Sequence, residues 1–571
     1  MPVIVSKKNI NENHEIDSYL KGIPFSDEYE KFAFAYASYI CGKNNIKNQR
    51  DFVDYLKNNY SEERGLFIRP SVEKFWNNIV HFSIMVDKDH IEQYLKCFSI
   101  EISPFTGNVT TPSYEAKLIT NILDINNNDS IGDFGCGVGT FLGTSAEETP
   151  DFTYYGVDLQ ARCKEITLIK GELWNRKCDV TCRDMFSIDE SLHFDKIVSD
   201  PPMGMKPLMY RNTSPGLLSV AELIPGMERA TSYTWPIAAL ITKHLNSNGK
   251  AVEVVAAGGL FNSVEKEIRR YFVENHLIEA IISLPIRLSP ASSVQTALLV
   301  LQKSSSDSIR MIDASNMFTP GRRQNTLSDK NIEDILNCLF EDNEYSKTIS
   351  ISEIRDNEYS LNPDRYLHEQ VQIKNGVELV SVVKSITRGA PLKASDLDGM
   401  VSDSPTDTQY LTLSNIQNGI IDSNLPYLKE LDHRYEKYLI GDNDIILTKN
   451  GTPFKSAVAA FGNGRKVIGS GNLYIIHLDE SKINPYFLKA FLESEDGAMS
   501  LRQCAVGTMI PSISMEALKG MIIPLPPMEV QNSIAEKYHI KEDTLRLLLR
   551  QLEKTQSELK SVCKENLDAI D

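Results

Sequence analysis

Apolar positions in the first hundred residues recur at helical spacing. Phe32, Phe34, Tyr36 and Tyr39 to Ile40 form one segment, Phe52, Tyr55 and Leu56 a second, and Phe75 to Met85 a third. Residues 1–100 are therefore expected to be a helical domain. From residue 101 the pattern becomes short apolar runs alternating with helical stretches, in the manner of a parallel α/β sheet. Expected strands are Ser130 to Phe134, Tyr154 to Asp158, Asp179 to Cys182, Lys196 to Ser199, Ala251 to Ala256, Leu277 to Leu284 and Ala297 to Leu301. Tyr114 to Leu123 and Val264 to Asn275 read as helices between them.

The pattern changes again near Asn362-Pro363, giving short strands at Tyr410 to Leu413, Ile445 to Thr448, Ala457 to Phe461 and Asn472 to His477. Ile523-Pro524-Leu525-Pro526-Pro527 breaks regular structure and hands over to a last helix. In that helix Leu545, Leu552 and Leu559 alternate with Leu548, Thr555 and Val562 at heptad spacing, with Asn566 next. Two readings of it stand: a short coiled coil, or an amphipathic helix packed on its own protein. The expected divisions are 1–100, 101–365, 366–527 and 528–571.

A length of 571 residues fits roughly three or four domains of about 100–200 residues each. No apolar run reaches the roughly 20 residues that span a bilayer, and Met1 to Glu15 is polar, so a soluble, cytoplasmic protein without membrane contact is expected. The nine cysteines are scattered, with Cys178 and Cys182 the only close pair, which indicates free buried thiols and no disulfide framework or metal site. A net charge of −17 argues against a protein that coats nucleic acid, because neutralising phosphates needs clustered Lys and Arg. It leaves room for a local cleft. Between Ile445 and Leu478 there is no acidic residue, while Lys449, Lys455, Arg465 and Lys466 fall there; these are the candidate DNA-binding residues, a solvated face being the alternative.

The candidate chemistry begins at Asp133-Phe134-Gly135-Cys136-Gly137-Val138-Gly139, a strand end followed by glycines at alternate positions and a helix from Thr140. Such a loop permits a tight turn and close approach of a nucleotide-type ligand to the backbone; a glycine-rich turn without ligand is the alternative. Asp158 ends the next strand, where a carboxylate can accept hydrogen bonds from ribose hydroxyls. Asp184, after the third strand, is placed to meet an adenine ring. The fourth strand delivers Asp200-Pro201-Pro202-Met203 to the same edge. An exocyclic amine on adenine is a poor nucleophile because its lone pair is delocalised. The Asp200 side chain and the Pro201 carbonyl could accept the two amino hydrogens and free that lone pair for attack on a sulfonium methyl. Pro201 and Pro202 fix the backbone that presents both acceptors.

With these motifs the chain resembles the modification subunits of type I restriction-modification systems, the N6-adenine DNA methyltransferases. Gly107 to Pro112 is similar to that family's segment preceding the glycine loop, Asp133 to Leu142 to its first motif, and Ser199 to Gly204 to its catalytic motif. Gly258-Gly259-Leu260-Phe261, Ile268-Arg269, Ser283-Leu284-Pro285 and Thr296 to Lys303 are similar to its closing strands. The tail resembles half of a type I specificity subunit at Gly441 to Leu447 with Gly451, at Gly507 to Ile513, and at Ile523 to Pro527 with Gln531 and Ile534-Ala535. The resemblance implies an α/β fold class: an N-terminal helical domain, a Rossmann-like S-adenosylmethionine-dependent methyltransferase sheet, an α+β target recognition domain and a C-terminal coiled-coil helix. It implies S-adenosyl-L-methionine as cofactor, held by Thr111, Pro112, Asp133, Gly135, Gly137, Gly139, Thr140, Asp158 and Asp184. It also implies double-stranded DNA as substrate, a homodimer formed through the last helix, and a separate restriction subunit for any cleavage.

Met203 departs from the pattern, which places Phe or Tyr there to stack on a flipped adenine. A thioether gives up much of the about 1–3 kcal/mol that base–aromatic stacking supplies. The second reading is accordingly a weakly active or inactive component that binds cofactor and DNA. A third, methylation of a protein glutamine amide, leaves the C-terminal module unexplained.

Overall fold

The structure, a computed structural model, describes residues 16–567 apart from 17, 101–109, 150, 204–214, 223, 290–293, 304–305, 323, 368–372, 374–375, 393–399, 423, 430–432, 452, 463–464 and 507–510. Of the sequence motifs, Gly107 to Val109, Gly204 and Gly507 to Ile510 lie outside the described residues, as do the side chains of Val562 and Asn566. Two compact units divide the chain, residues 1–368 and 369–571.

The first unit opens with helices α1 (Glu28–Asn44), α2 (Gln49–Asn59), α3 (Glu62–Met85) and α4 (Lys88–Lys96). Caps start them: the Asp27 side chain accepts from the Glu30 amide, Asn48 from Arg50 and Ser61 from Arg64. Then follow α5 (Ser113–Leu123), β1 (Asp129–Phe134), α6 (Thr140–Glu148), β2 (Phe152–Asp158), α7 (Ala161–Leu173), β3 (Lys177–Cys182) and β4 (Phe194–Ser199). The remainder comprises α8 (Pro215–Ala221), α9 (Thr234–His244), β5 (Leu245–Ala256), α10 (Lys266–Glu274), β6 (Ile278–Ser283), β7 (Thr296–Gln302), β8 (Ser308–Asp313), α11 (Asp329–Asn337) and β9 (Ser346–Ser350).

These strands form one sheet in the order β3-β2-β1-β4-β5-β7-β6-β8-β9. The sequence predicts a parallel sheet; the observed one is mixed. β7 runs antiparallel to both β5 and β6, and β9 antiparallel to β8. The physical reason lies in the connections. A parallel return needs a crossover, usually a helix. α10 supplies one between β5 and β6, whereas nothing helical is described between Ser283 and Thr296.

Period-two alternation buries both faces of the sheet. On β5, Ala251 and Val255 join α9 and α10 in one core, while Val252 and Val254 join α5 and α11 in the other. The N-terminal helices form a third core that reaches α7 through Cys163, Ile166 and Ile169. Two buried cations fix that contact. Arg64, 5% exposed, donates to Glu165 at 3.2 Å and to Glu172 at 2.6 Å, and Lys170 donates its ammonium to the Phe98 carbonyl at 2.5 Å.

The second unit carries two four-stranded sheets. One joins Val383–Arg388, Leu473–Leu478, Ile445–Thr448 and Ser456–Val458, all antiparallel; the other includes Thr408–Leu411 parallel to Lys466–Gly469. Helices Pro485–Leu492 and Glu495–Cys504 follow, and a helix spans Met528–Leu567. The start of that last helix is pinned: buried Gln531 accepts from the Asn484 amide and donates to the Lys482 and Pro526 carbonyls. Further along, the wholly buried Lys489 ammonium pairs with Glu542 at 2.8 Å. No helix among the described residues is long and apolar enough to cross a membrane, and no group of metal-ligating side chains is found among them. Of the described cysteines all are free; Cys41, Cys136, Cys163 and Cys338 are buried, but Cys97 and Cys182 are exposed, which corrects the expectation of buried thiols throughout.

Candidate active site

Because β1, β2, β3 and β4 run parallel, their C-terminal ends meet at one edge of the sheet. There the three alternate glycines have a conformational task. Gly135, Gly137 and Gly139 have φ of 96°, 51° and 73°, in the left-handed region that a side chain disfavours. A Cβ on Gly139 would meet Thr167 at 3.1 Å, while one on Gly137 would meet nothing within 4 Å. Gly139 caps α6, and Thr140 begins it.

Asp133 is fully buried; its Oδ2 accepts from the Tyr154 hydroxyl at 2.6 Å, and its Oδ1 has no partner. Burial, then the nearby carboxylates of Asp158 and Asp200, pushes it up to about 7 against the pull of the Tyr154 hydrogen bond. Asp158 folds back on the loop, accepting from the Gly137 amide at 3.0 Å and the Gln160 amide at 2.8 Å. Asp184 accepts from the Phe186 amide at 3.0 Å and so caps a single turn after β3.

On β4, the Ser199 hydroxyl donates to the Phe134 carbonyl at 2.6 Å, which locks the end of β4 to the start of the glycine loop. Asp200 follows at once. Its Oδ2 accepts from the Thr111 hydroxyl, beside Pro112, the residue that caps α5. Burial raises the Asp200 carboxyl above the ordinary range, with the Thr111 bond acting against it. Pro201 is buried and Pro202 exposed. Met203 is half-buried and packs against the core under α5.

Thus the structure brings Thr111, Pro112, Asp133, Gly135, Gly137, Gly139, Thr140, Asp158, Asp184 and Asp200 to one sheet edge. Three further residues there escaped the sequence reading. Leu159, directly after Asp158, is 75% exposed, an apolar side chain presented at the edge. Met185 lies 3.6 Å from the Cβ position of Gly135. Glu115, on the first turn of α5, is 4% exposed and close enough to Asp200 for their charges to act on each other. Nearby, buried Arg269 donates to the Tyr359, Gly259 and Asn262 carbonyls, so the Ile268-Arg269 motif holds the turn after β5 in place.

In the second unit the four candidate cations are dispersed. The Lys455 ammonium donates to the Ile416 carbonyl at 2.7 Å, Lys466 pairs with Asp407 at 3.6 Å, and Arg465 is exposed. Lys449 instead lies within electrostatic reach of Arg388. The Lys449 amide donates to the Asn472 carbonyl at 2.8 Å and the Arg388 guanidinium to the adjacent Gly471 carbonyl at 2.6 Å; burial and then Arg388 lower the Lys449 ammonium. Arg388 lies 61 positions before Lys449, beyond the reach of a local charge count. The Gly441 to Leu447 motif is a stapled turn: Asp444 accepts from the Gly441 amide at 2.6 Å and pairs with His477 at 2.8 Å.

A mixed α/β sheet carries the glycine loop and the converging acids at its parallel edge. The chain belongs to the N-6 DNA Methylase family, whose pattern matches residues 87–375, and residues 377–554 match the Type I restriction modification DNA specificity domain, so modification and specificity parts are fused in one chain. The Type I restriction enzyme MjaIX methylase subunit of Methanocaldococcus jannaschii is 27% identical over 311 residues, 49% of this chain and 55% of that protein. The MpnII methylase subunit of Mycoplasma pneumoniae is 34% identical over 134 residues, 22% of this chain and 25% of that protein. The chain thus spans about half or less of the length of these relatives. A type I restriction-modification system methyltransferase subunit from Streptococcus thermophilus superposes with a TM-score of 0.48 at 17% identity, covering 63% of this chain and 99% of that one.

Proposed function

We propose that this chain transfers a methyl group from S-adenosyl-L-methionine to N6 of adenine at a specific site in double-stranded DNA. The observation that carries the reading is Asp200, held by Thr111 at the sheet edge that also bears the glycine loop. The strand order β3-β2-β1-β4-β5-β7-β6 with β7 reversed supports a Rossmann-like methyltransferase sheet in residues 101–365.

The residues fit the cofactor chemically. It carries positive charge at its sulfonium and ammonium groups, and the Asp200 carboxylate acts on both Asp133 and Glu115, with no cation among the causes that shift these three acids. The unpartnered Asp133 Oδ1 and the open space at Gly137 belong to the same edge. Gly135, Gly137, Gly139, Thr140, Thr111 and Pro112 would hold it, with Asp158 and Asp184 toward its ribose and adenine and Leu159 against the ring. When bound, the cofactor supplies an electrophilic methyl group on sulfur.

Asp200 accepts one amino hydrogen of adenine and the Pro201 carbonyl the other, drawing the nitrogen toward tetrahedral geometry. As the N–C bond forms and that methyl's bond to sulfur breaks, leaving a neutral thioether, the nitrogen would carry one proton too many, and the Asp200 carboxylate would take it. Pro201 and Pro202 hold the two acceptors in register. Residues 366–527 are assigned to target recognition, and the last helix to pairing with a second copy, which its exposed Leu545, Leu548, Leu552 and Leu559 support.

The second reading, a component that binds cofactor and DNA without transferring methyl groups, draws on Met203, which packs into the core and leaves no aromatic face for a flipped base. Sequencing of modified bases in cells with and without the gene separates the two. N6-methyladenine at one recurring sequence, lost with the gene, supports methyl transfer. Unchanged base modification supports the second reading.

A further inference from the structure

Tyr29 sits in the first turn of α1 and packs in the core of the N-terminal helices, 3% exposed. Packing alone asks nothing of its hydroxyl. That hydroxyl crosses to the turn after β2, where it donates to the Gln160 Oε1 at 3.0 Å and lies 3.5 Å from the Cys163 sulfur. Gln160 immediately precedes α7, the position from which a capping side chain accepts a bond from the first helical amides. It makes no such bond. Its side chain is engaged by Tyr29, and its backbone amide donates to the Asp158 Oδ1 at 2.8 Å.

Neighbouring contacts brace this one. The Arg162 guanidinium lies 4.1 Å over the Tyr29 ring and pairs with Asp27 at 2.5 Å, and Asp27 caps α1. From within α7, the Thr167 hydroxyl donates to the Gly137 carbonyl at 2.9 Å, while the Gly137 amide donates to the Asp158 Oδ2 at 3.0 Å. Each Asp158 oxygen thus accepts from one backbone amide and keeps a further lone pair for a hydroxyl. Where those two free lone pairs point depends on where the two amides sit. One amide belongs to the glycine loop, and the other to the residue that Tyr29 holds.

We infer that Tyr29 is a positioning residue for Asp158: through Gln160 it fixes the carboxylate assigned to a ribose, so the N-terminal helical domain sets how sharply the site recognises the sugar of its ligand. This rests on the cofactor reading above, in which Asp158 takes the ribose hydroxyls. Tyr29 acts only through Gln160. Removing its hydroxyl loosens one carboxylate and leaves the glycine loop and Asp200 as they are.

The test is titration of the full chain with S-adenosylhomocysteine and with its dideoxyribose analogue, which lacks both ribose hydroxyls. Hydrogen bonds to a charged carboxylate give the wild-type chain a preference of about 10-fold or more for the hydroxylated ligand. Tyr29→Phe keeps the ring and removes the hydroxyl; it lowers that preference about 3- to 10-fold and leaves affinity for the dideoxy analogue unchanged. Should that variant not fold, Gln160→Ala decides alone, since Gln160 is exposed and its side chain caps nothing. It lowers the preference to the same extent, and the double variant loses no more than either single one. An unchanged preference in either folded variant overturns the inference, including the case where affinity for both ligands falls equally, as a merely structural role would have it. A wild-type chain that binds the two ligands alike overturns the assignment of Asp158 to the ribose, and one that binds neither overturns the cofactor reading itself.

Discussion

Thr111 gives its hydroxyl hydrogen to the carboxylate of Asp200, tying the segment before α5 to the residue after β4. Burial raises Asp200 and this bond restrains the rise. In Thr111→Val the restraint is gone. A hydrogen bond to a charged group contributes about 1.5–3 kcal/mol, so methyl transfer at neutral pH is expected to fall about 10- to 100-fold. Asp200 must be ionised to accept, so activity is lost as pH falls through its raised value; in Thr111→Val that loss sets in at higher pH. A pH–rate profile of both proteins checks it.

Glu253 on β5 is fully buried, and neither carboxyl oxygen has a partner among the described residues. Burial holds it well above the usual glutamate range. Its folded value exceeds its unfolded one, so it costs little below the unfolded value, and stability falls as pH rises through the raised value. Glu253→Met removes an unsatisfied acid, worth about 1–3 kcal/mol. Thermal melts between about pH 5 and pH 9 should show a higher Tm for the variant, with a gap that widens with pH.

The Arg388 guanidinium is held at the Gly471 carbonyl, and Lys449, whose backbone amide bonds the Asn472 carbonyl, has its ammonium within electrostatic reach of it, two cations that would suit the proposed DNA phosphate. Arg388→Ala with Lys449→Ala is expected to weaken binding to all duplex sequences alike and to reduce the log–log salt slope by about 1 to 2. Binding isotherms at several salt concentrations measure it.

The last helix leaves Leu548 and Leu552 55% and 54% exposed, and Leu559 69%, so this stripe lacks cover among the described residues. The proposed pairing with a second copy would supply it. Leu548→Asp with Leu552→Asp should shift the sedimentation coefficient to that of a single chain, with the melting temperature of the globular part unchanged.

Local pattern revealed much of this molecule, and non-local partners account for what it concealed. The glycine loop was visible because alternate glycines answer a local need for positive φ at Gly135, Gly137 and Gly139. The first seven strands were visible as apolar runs. β8 was not, since its Arg310 interrupts the run; in the fold that guanidinium is buried against the Cys338 carbonyl and Ser346. The reversal of β7 has no signature in its own residues. Glu115 carries no local sign of its burial, which only the fold imposes. The basic stripe dispersed for the same reason: Asp407 and the Ile416 carbonyl reach Lys466 and Lys455 from segments far along the chain.

The most direct measurement is transfer of labelled methyl groups from S-adenosylmethionine into duplex DNA by the full chain, with Asp200→Ala beside it. The account predicts label in N6-methyladenine, reduced on the order of 10²- to 10⁴-fold in Asp200→Ala, the range expected for a group that manages a transferred proton. Absence of label from DNA, or equal labelling by Asp200→Ala, would contradict it.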